Sequence, residues 1–327
     1  MLNRTSSRTN LSRSNANKIG LLACLICLMC LYVGSAIAIQ EVSVDDVEKL
    51  IPTIENLEKK LINVYVESEY WYESRMKPED KWEKTATYMK GKSWYNGLRN
   101  SKIRIDVEKE TFGSKGSKVA TTELSYSVGY DGVSGKKTFN SVKGNGKTQY
   151  PKRAELYLKR PKDLDYGDMK TLSGRRFTVP YFFREIQGSS LSGFLKLAIS
   201  KGSKAKLTEE VFLGADCLKV SCSIGGTSEA WWFDTDKGYA LRGYKLINLK
   251  NGREWLVSFI QVTKLKKVTK DIWCPVEAIE EQGPSLDKEP YRKIVYKASK
   301  VKANDLEFNE DVFDIKIPKK YKKIEKK

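Results

Sequence analysis

This sequence predicts a mainly β fold of the α+β class, laid out as one long antiparallel meander with a few helices. Three observations carry that expectation. Apolar and polar residues alternate with period two through most of the chain, the mark of half-buried strands. Gly, Asn and Asp punctuate these runs, most clearly at Asn251-Gly252 between two alternating segments, a strong hairpin signal. Apolar residues recur at helical spacing in only two places, 44–61 and 191–201.

The first 38 residues stand apart from this pattern. Arg4, Arg8, Arg13 and Lys18 form a positive region without an acid, and Ile19–Ile39 is then an uncharged, mostly apolar run of 21 residues. Ala36 and Ala38 give the small-x-small form of a secretory cleavage site, so 1–38 reads as a signal peptide. The same run is also long enough to stay uncleaved as an N-terminal anchor. Both readings place the rest of the chain outside the cytoplasm, in a periplasm or cell envelope.

Residues 39–327 are expected to form a single domain, since no repeat, low-complexity tract or linker divides them. Ser43 and Asp46 open a capping pattern, and Val44, Val47, Ile51, Ile54 and Leu61 follow at helical spacing, with Pro52 expected to kink or restart the helix. Strands are expected at 62–74, 82–90, 92–95, 102–108, 119–130 and 136–142, with Gly91 separating the second and third. Residues 151–203 show little alternation and read as an insertion of loop and helix. Its last part, 191–201, carries an apolar stripe, starts after Ser190 and stops at Gly202. Strands resume at 206–213, 216–224, 228–234, 239–249, 253–266, 270–280 and 291–302.

Composition excludes several chemistries. The chain has no histidine, which removes Ser-His-Asp and Cys-His catalysis and histidine-bound metal or haem. Its acids are scattered, with no spacing that marks a catalytic pair. Gly113, Gly116, Gly129 and Gly132 lie among strands and turns rather than in a phosphate loop. The expectation is a protein that is not an enzyme and holds no cofactor or metal. Cys24, Cys27 and Cys30 belong to the leader, leaving Cys217, Cys222 and Cys274. The first two are five positions apart in one strand, so they face opposite ways at ~16 Å and cannot bridge each other. Cys274 either pairs with one of them or all three are buried thiols.

The net charge is +18, and +14 without the four leader cations. For an exported protein this points away from nucleic acid and toward anionic membrane or acidic envelope polymers. The tail 319–327, KKYKKIEKK, concentrates the charge; it reads as a membrane-contacting segment or as a solvated terminus.

Residues 231–244, WWFDTDKGYALRGY, begin with adjacent tryptophans, which must point to opposite faces of a strand. Trp231 and Phe233 are assigned inward, Trp232 and Asp234 to a half-exposed outer face. This hairpin, together with the helix leading into INVYVESEYWYE (62–73), the strand KDIWCPVEAIEE (270–281) and the terminus DLEFNEDVFDIKIPKKYKKIE (305–325), resembles the LolA/LolB-like outer-membrane lipoprotein-sorting family of periplasmic carriers and receptors. In the terminus, Phe313, Ile315, Ile317 and Pro318 match that family's closing strand. The chain is longer than the compact carriers, mostly in 140–205, and the arginine that holds the covering helix in some of them has no match here.

The resemblance implies a strongly curved antiparallel sheet, a half-open β-barrel with covering helices, whose concave face takes the acyl chains of lipoproteins or a related lipid. Ile62, Val64, Val66, Ile103, Ile105, Val107, Trp231 and Phe233 are the expected lipid-binding residues. Val47, Ile51 and Ile54 of the first helix and Phe194 and Leu195 of the second are the expected lid. The same residues also suit a filled core, which would make the chain a structural or protein-binding envelope protein on the same fold. The residues name neither an oligomeric state nor a specific lipid.

Overall fold

Alternating strands leave one apolar face that must be covered, and helices with a single apolar stripe are the natural cover. The computed structural model describes residues 44–60, 63–96, 102–112, 122–144, 147–149, 153–159, 161, 191–200, 202–203, 205–224, 226–250, 253–283, 291–304 and 309–326. The leader with Ala36 and Ala38, and the expected lining residue Ile62, lie outside them. No helix among the described residues is long and apolar enough to cross a membrane.

Helix α1 (Val44–Lys60) precedes β1 (Asn63–Arg75), β2 (Glu83–Asn96), β3 (Lys102–Phe112), β4 (Thr122–Tyr130), β5 (Gly135–Gly144), β6 (Lys147–Gln149) and β7 (Arg153–Tyr157). Helix α2 (Leu191–Ser200) leads into β8 (Lys206–Phe212), β9 (Ala215–Ile224), β10 (Thr227–Asp234), β11 (Ala240–Lys250), β12 (Arg253–Lys267), β13 (Trp273–Gln282) and β14 (Tyr291–Ala303). A 3-10 turn at Glu310–Phe313 and β15 (Lys322–Lys326) end the chain.

All fifteen strands belong to one sheet, ordered β15-β7-β5-β4-β3-β2-β1-β14-β13-β12-β11-β10-β9-β8, with β6 beside β5. The first half of the chain builds outward from β1 to β7. The second half starts at the far edge, β8, and walks back until β14 pairs antiparallel with β1. Among the described strands only β15 runs parallel to its neighbour, β7. The expected fold is the observed one: a large, curved, unclosed sheet, predominantly antiparallel, with two helices.

Curvature comes from irregularity. Register shifts occur at Glu67/Ser68, Lys90/Gly91, Val107/Glu110, Ser125/Tyr126, Trp232/Phe233 and Leu246/Ile247, and bulges of this kind bend and twist a strand. Gly91 does not separate two strands as expected; β2 runs through it. A β-carbon there would sit 2.5 Å from the Asp106 carbonyl oxygen, so the glycine permits the close approach that the bulge demands.

Helix α1 likewise continues through Pro52. Val47, Leu50, Ile51 and Ile54 are all buried on one face, and their burial on both sides of the proline holds the helix against its intrinsic break. Its C-terminal end is clasped from across the chain. Asn304, at φ 54°, donates from Nδ2 to the Lys60 carbonyl (2.6 Å) and from its backbone N–H to the Asn63 carbonyl (2.8 Å). Helix α2 ends in a Schellman motif, with Gly202 N–H donating to Ile199 O and Ser203 N–H to Ala198 O.

Two expectations for the flanks need correction. The insertion 151–203 contains a strand, β7, which pairs with β5 and β15. The segment matched to a closing strand is not one: Phe313 lies in the 3-10 turn, and Ile315 to Pro318 carry no strand. The chain here travels from the centre of the sheet to its edge across the outer face. Arg104 Nη1 donates to Val312 O (2.9 Å), Ile315 lies against Gly129, and Lys136 pairs with Asp314 at 2.5 Å. Phe313 and Ile315 are buried by this crossing. The basic tail is then no frayed end, because 322–326 is the edge strand β15. Its exposed lysines suit an edge that must not pair further.

Hydrogen bonds from Lys136 and Lys316 depress the Asp314 carboxyl to about 2. The folded value lies below the ordinary one, so this anchor contributes fully above about pH 4 and is lost as pH falls through about 2. Urea unfolding of the wild type and Asp314→Asn at a series of pH values should show a small gap, under about 1 kcal/mol for so exposed a group, that closes on acidification over that window.

Candidate functional site on the concave face

Strand β1 turns Val64 and Val66 inward; β3 does the same with Ile103, Ile105 and Val107, and β10 with Trp231 and Phe233. Each is at most 1% exposed. Register aligns them in rows: Val64 lies beside Tyr95, itself beside Ile103, and Val66 lies beside Ser93, itself beside Ile105. Val47, Ile51 and Ile54 of α1 and Phe194 and Leu195 of α2 join the same apolar cluster. Apart from Ile62, every expected lining and lid residue is therefore in one contiguous interior. The Phe194 and Trp231 rings are 5.8 Å apart, placing α2 on β10. The two helices are tied to each other by Lys196 and Glu55 at 2.6 Å, a hydrogen bond that lowers the Glu55 carboxyl.

The interior also holds polar groups that the sequence reading missed. Glu229 is 2% exposed and accepts from the Tyr244 hydroxyl at 3.1 Å. Glu280 is fully buried and accepts from Ser258 Oγ at 2.8 Å and Gln282 Nε2 at 2.9 Å. Strand alternation was the available signal: Glu229 is two residues before Trp231, and Glu280 two after Ala278. The two acids sit three strands apart, roughly 14 Å along the sheet, each with its own donors. Two further groups, Ser93 Oγ and Trp231 Nε1, are buried without a hydrogen-bond partner.

Cys217, Cys222 and Cys274 are buried thiols outside any disulfide, which settles the choice left open by their spacing. Burial pushes Cys274 up to about 12 and, with Asp234 nearby, Cys217 up to about 11, so neither is a thiolate near neutrality. Among the described residues no cluster of acids and cysteines could hold a metal ion.

No sequence family matches this chain, and no curated protein does. Among solved structures it is similar to a putative outer membrane lipoprotein-sorting protein domain from Vibrio parahaemolyticus. Identity there is 9%, over 82% of this chain and 97% of that one, with a TM-score of 0.39. It is also similar to a DUF1329 family protein from Desulfovibrio piger, at 13% identity over 82% and 96%, TM-score 0.37. The Pseudomonas aeruginosa MucA/MucB complex contains a third such chain, at 7% identity over 80% and 99%, TM-score 0.22. Each is a likeness of chain path at low identity.

The motif WWFDTDKGY has a local physical explanation. Asp234 is fully buried, and its backbone carbonyl accepts from Tyr239 N–H at 2.8 Å. Its side chain accepts from Lys237 N–H (3.0 Å), Lys237 Nζ (3.0 Å) and Arg242 Nε (2.8 Å). Arg242 spends a second donor, Nη1, on the Val262 carbonyl. Gly238 and Tyr239 both take positive φ, 60° and 62°, which closes the turn. The aspartate and glycine of the motif thus build the hairpin.

Trp232 faces away from the interior as expected, but it is 5% exposed rather than half open. Phe212 stacks on it at 4.7 Å, Phe259 meets it edge-on at 6.3 Å, and its indole N–H donates to Glu210. Gly243 leaves the room: a β-carbon there would meet the Phe212 ring at 2.6 Å. The tryptophan pair therefore serves two separate apolar layers, one on each side of β10.

Gly243→Ala should destabilise the fold by ~1–3 kcal/mol through overpacking of this outer cluster, read as a lower urea midpoint. Asp234→Ala should cost ~3–5 kcal/mol, because it strands the buried Arg242 charge; the same denaturation measures it, and a loss under about 1 kcal/mol would mean the pair is dispensable.

Proposed function

We propose that this protein is an exported, non-enzymatic carrier or receptor that shelters the acyl chains of lipoproteins or a related lipid on its concave face. The reading is supported by one observation above all. Apolar residues from β1 and β3, from the distant β10 and from both helices converge on a single interior beneath an open sheet. Burial is worth ~0.8 kcal/mol per methylene, so such a surface can hold a long chain without polar contacts.

The helices are the movable part. Their mutual ion pair is exposed, with Lys196 at 56%, and pairs of this kind contribute little, ~0–1 kcal/mol. What keeps α2 down is the burial of Leu191, Phe194, Leu195 and Ala198, and an acyl chain replaces that contact with one of the same chemistry. The basic edge strand and its flanking lysines, Lys319 to Lys326, are the part suited to transient contact with an anionic membrane. The exported location follows from the leader-like residues 1–38.

A second reading has its own support: the lining residues are at most 1% exposed, as in a core packed shut, which suits a structural or protein-binding envelope protein. Delipidation of the purified domain with mass spectrometry of the extract, followed by titration with a fluorescent fatty acid, separates the two. Co-purifying lipid and saturable probe uptake are expected; a probe that stays in water supports the shut core. Lys196→Glu sets two acids against each other at Glu55 and should speed probe uptake about two- to fivefold.

A further inference from the structure

Two indole N–H groups on the outer face have acceptors. Trp71 Nε1 donates to Glu73 at 3.0 Å, and Trp232 Nε1 donates to Glu210. Trp231, the inward member of the pair, is the exception. It is 1% exposed, and its Nε1 has no partner. An indole N–H can only donate, and a buried donor without an acceptor is both rare and costly. Tyr244, whose ring lies 5.6 Å away and whose hydroxyl donates to Glu229, does not accept from it. Ser93 Oγ repeats the pattern on β2: fully buried, unpartnered, and set between Val66 and Ile105 in the rows expected to line the site.

We propose that the ligand of this interior presents a carbonyl oxygen at the head of its acyl chain, and that Trp231 Nε1, beneath Phe194 of α2, is the donor that receives it. A bare hydrocarbon would leave Trp231 and Ser93 as they are, whereas an acyl ester or carboxylic acid supplies the missing acceptor where the lid helix meets the sheet. Trp231 thereby fixes which end of the chain lies under α2, and Ser93 offers a second polar contact farther across the face. This inference rests on the acyl-binding reading above and sharpens it from apolar chain to acyl carbonyl.

The test is displacement of N-phenyl-1-naphthylamine from the delipidated domain by decane, methyl decanoate and decanoate, in the wild type and in Trp231→Phe. The variant keeps an aromatic ring and loses the donor. Its affinity for methyl decanoate, decanoate or both is expected to fall about tenfold, with decane held within about twofold. Which of the two falls tells an ester ligand from a free acid. Equal changes for all three ligands, or no change, overturn the assignment and make Trp231 packing alone. A wild type from which none of the three displaces the dye overturns the acyl-binding reading itself, and a wild type displaced by decane alone overturns only the carbonyl assignment. Should Trp231→Phe not fold, the ¹⁵N spectrum of the wild type decides. One indole resonance should move with methyl decanoate and not with decane; identical spectra with both sink the proposal.

Discussion

A single curved sheet of alternating strands has an apolar concave face, and among the described residues no second sheet lies against it. Everything else in the molecule answers that constraint. The strands bulge and curl so that β1, β3 and β10 turn their apolar residues into a common interior, and two short helices with one greasy stripe each close what curvature leaves open. The seam between β1 and β14 makes this arrangement non-local. Until the second half of the chain has returned from β8 to β1, the interior has no far wall, and the Asn304 clasp on α1 and β1 has not formed. A fold with such distant pairings is expected to form slowly.

What the sequence revealed, and what it concealed, follows from this geometry. Strand runs such as 62–74 and 102–108 were legible because burial on one face imposes alternation. Lining residues were legible for the same reason, since an inward isoleucine at 103 implies another at 105. The misses are places where tertiary contact overrides a local rule. Pro52 and Gly91 read as breaks, yet the first is carried by buried residues on both sides and the second is a bulge held by the approach of Asp106. Trp232 read as half exposed because Phe212, which covers it, comes from a strand 20 residues earlier. The terminal segment read as a strand because its alternation is real; it packs across the sheet instead of within it.

Charge was legible in amount but not in use. A net +18 pointed toward an anionic membrane or acidic polymer, whereas several of the cations lie over aromatic rings of the outer face. Arg75 is over Trp82 at 4.2 Å, Lys84 over Trp71 at 4.8 Å, and Lys219 over Trp232 at 5.1 Å. Such contacts cover the rings of a face that would otherwise be greasy. The lysines of β15 are the opposite case, exposed on an edge, and they are where attraction to an anionic surface has room to act.

A packed interior and a carrier are compatible if the lid and the ligand compete for the same contacts. Lifting α2 exposes Leu191, Phe194 and Leu195, each worth ~1.5–3 kcal/mol when buried, or roughly 5–9 kcal/mol together. About ten methylenes entering in their place return ~8 kcal/mol. The exchange is nearly neutral, so the closed state can be dry and well packed while still yielding to a chain of ordinary length. Near-neutrality has a consequence for selectivity: the apolar contacts alone do not distinguish one chain from another, and the decision passes to the few polar atoms within the cluster. Glu229 and Glu280 are acceptors already engaged by neighbouring donors. Of the two unsatisfied groups, Ser93 Oγ and the Trp231 N–H, the indole is the one that sits where the moving helix touches the sheet.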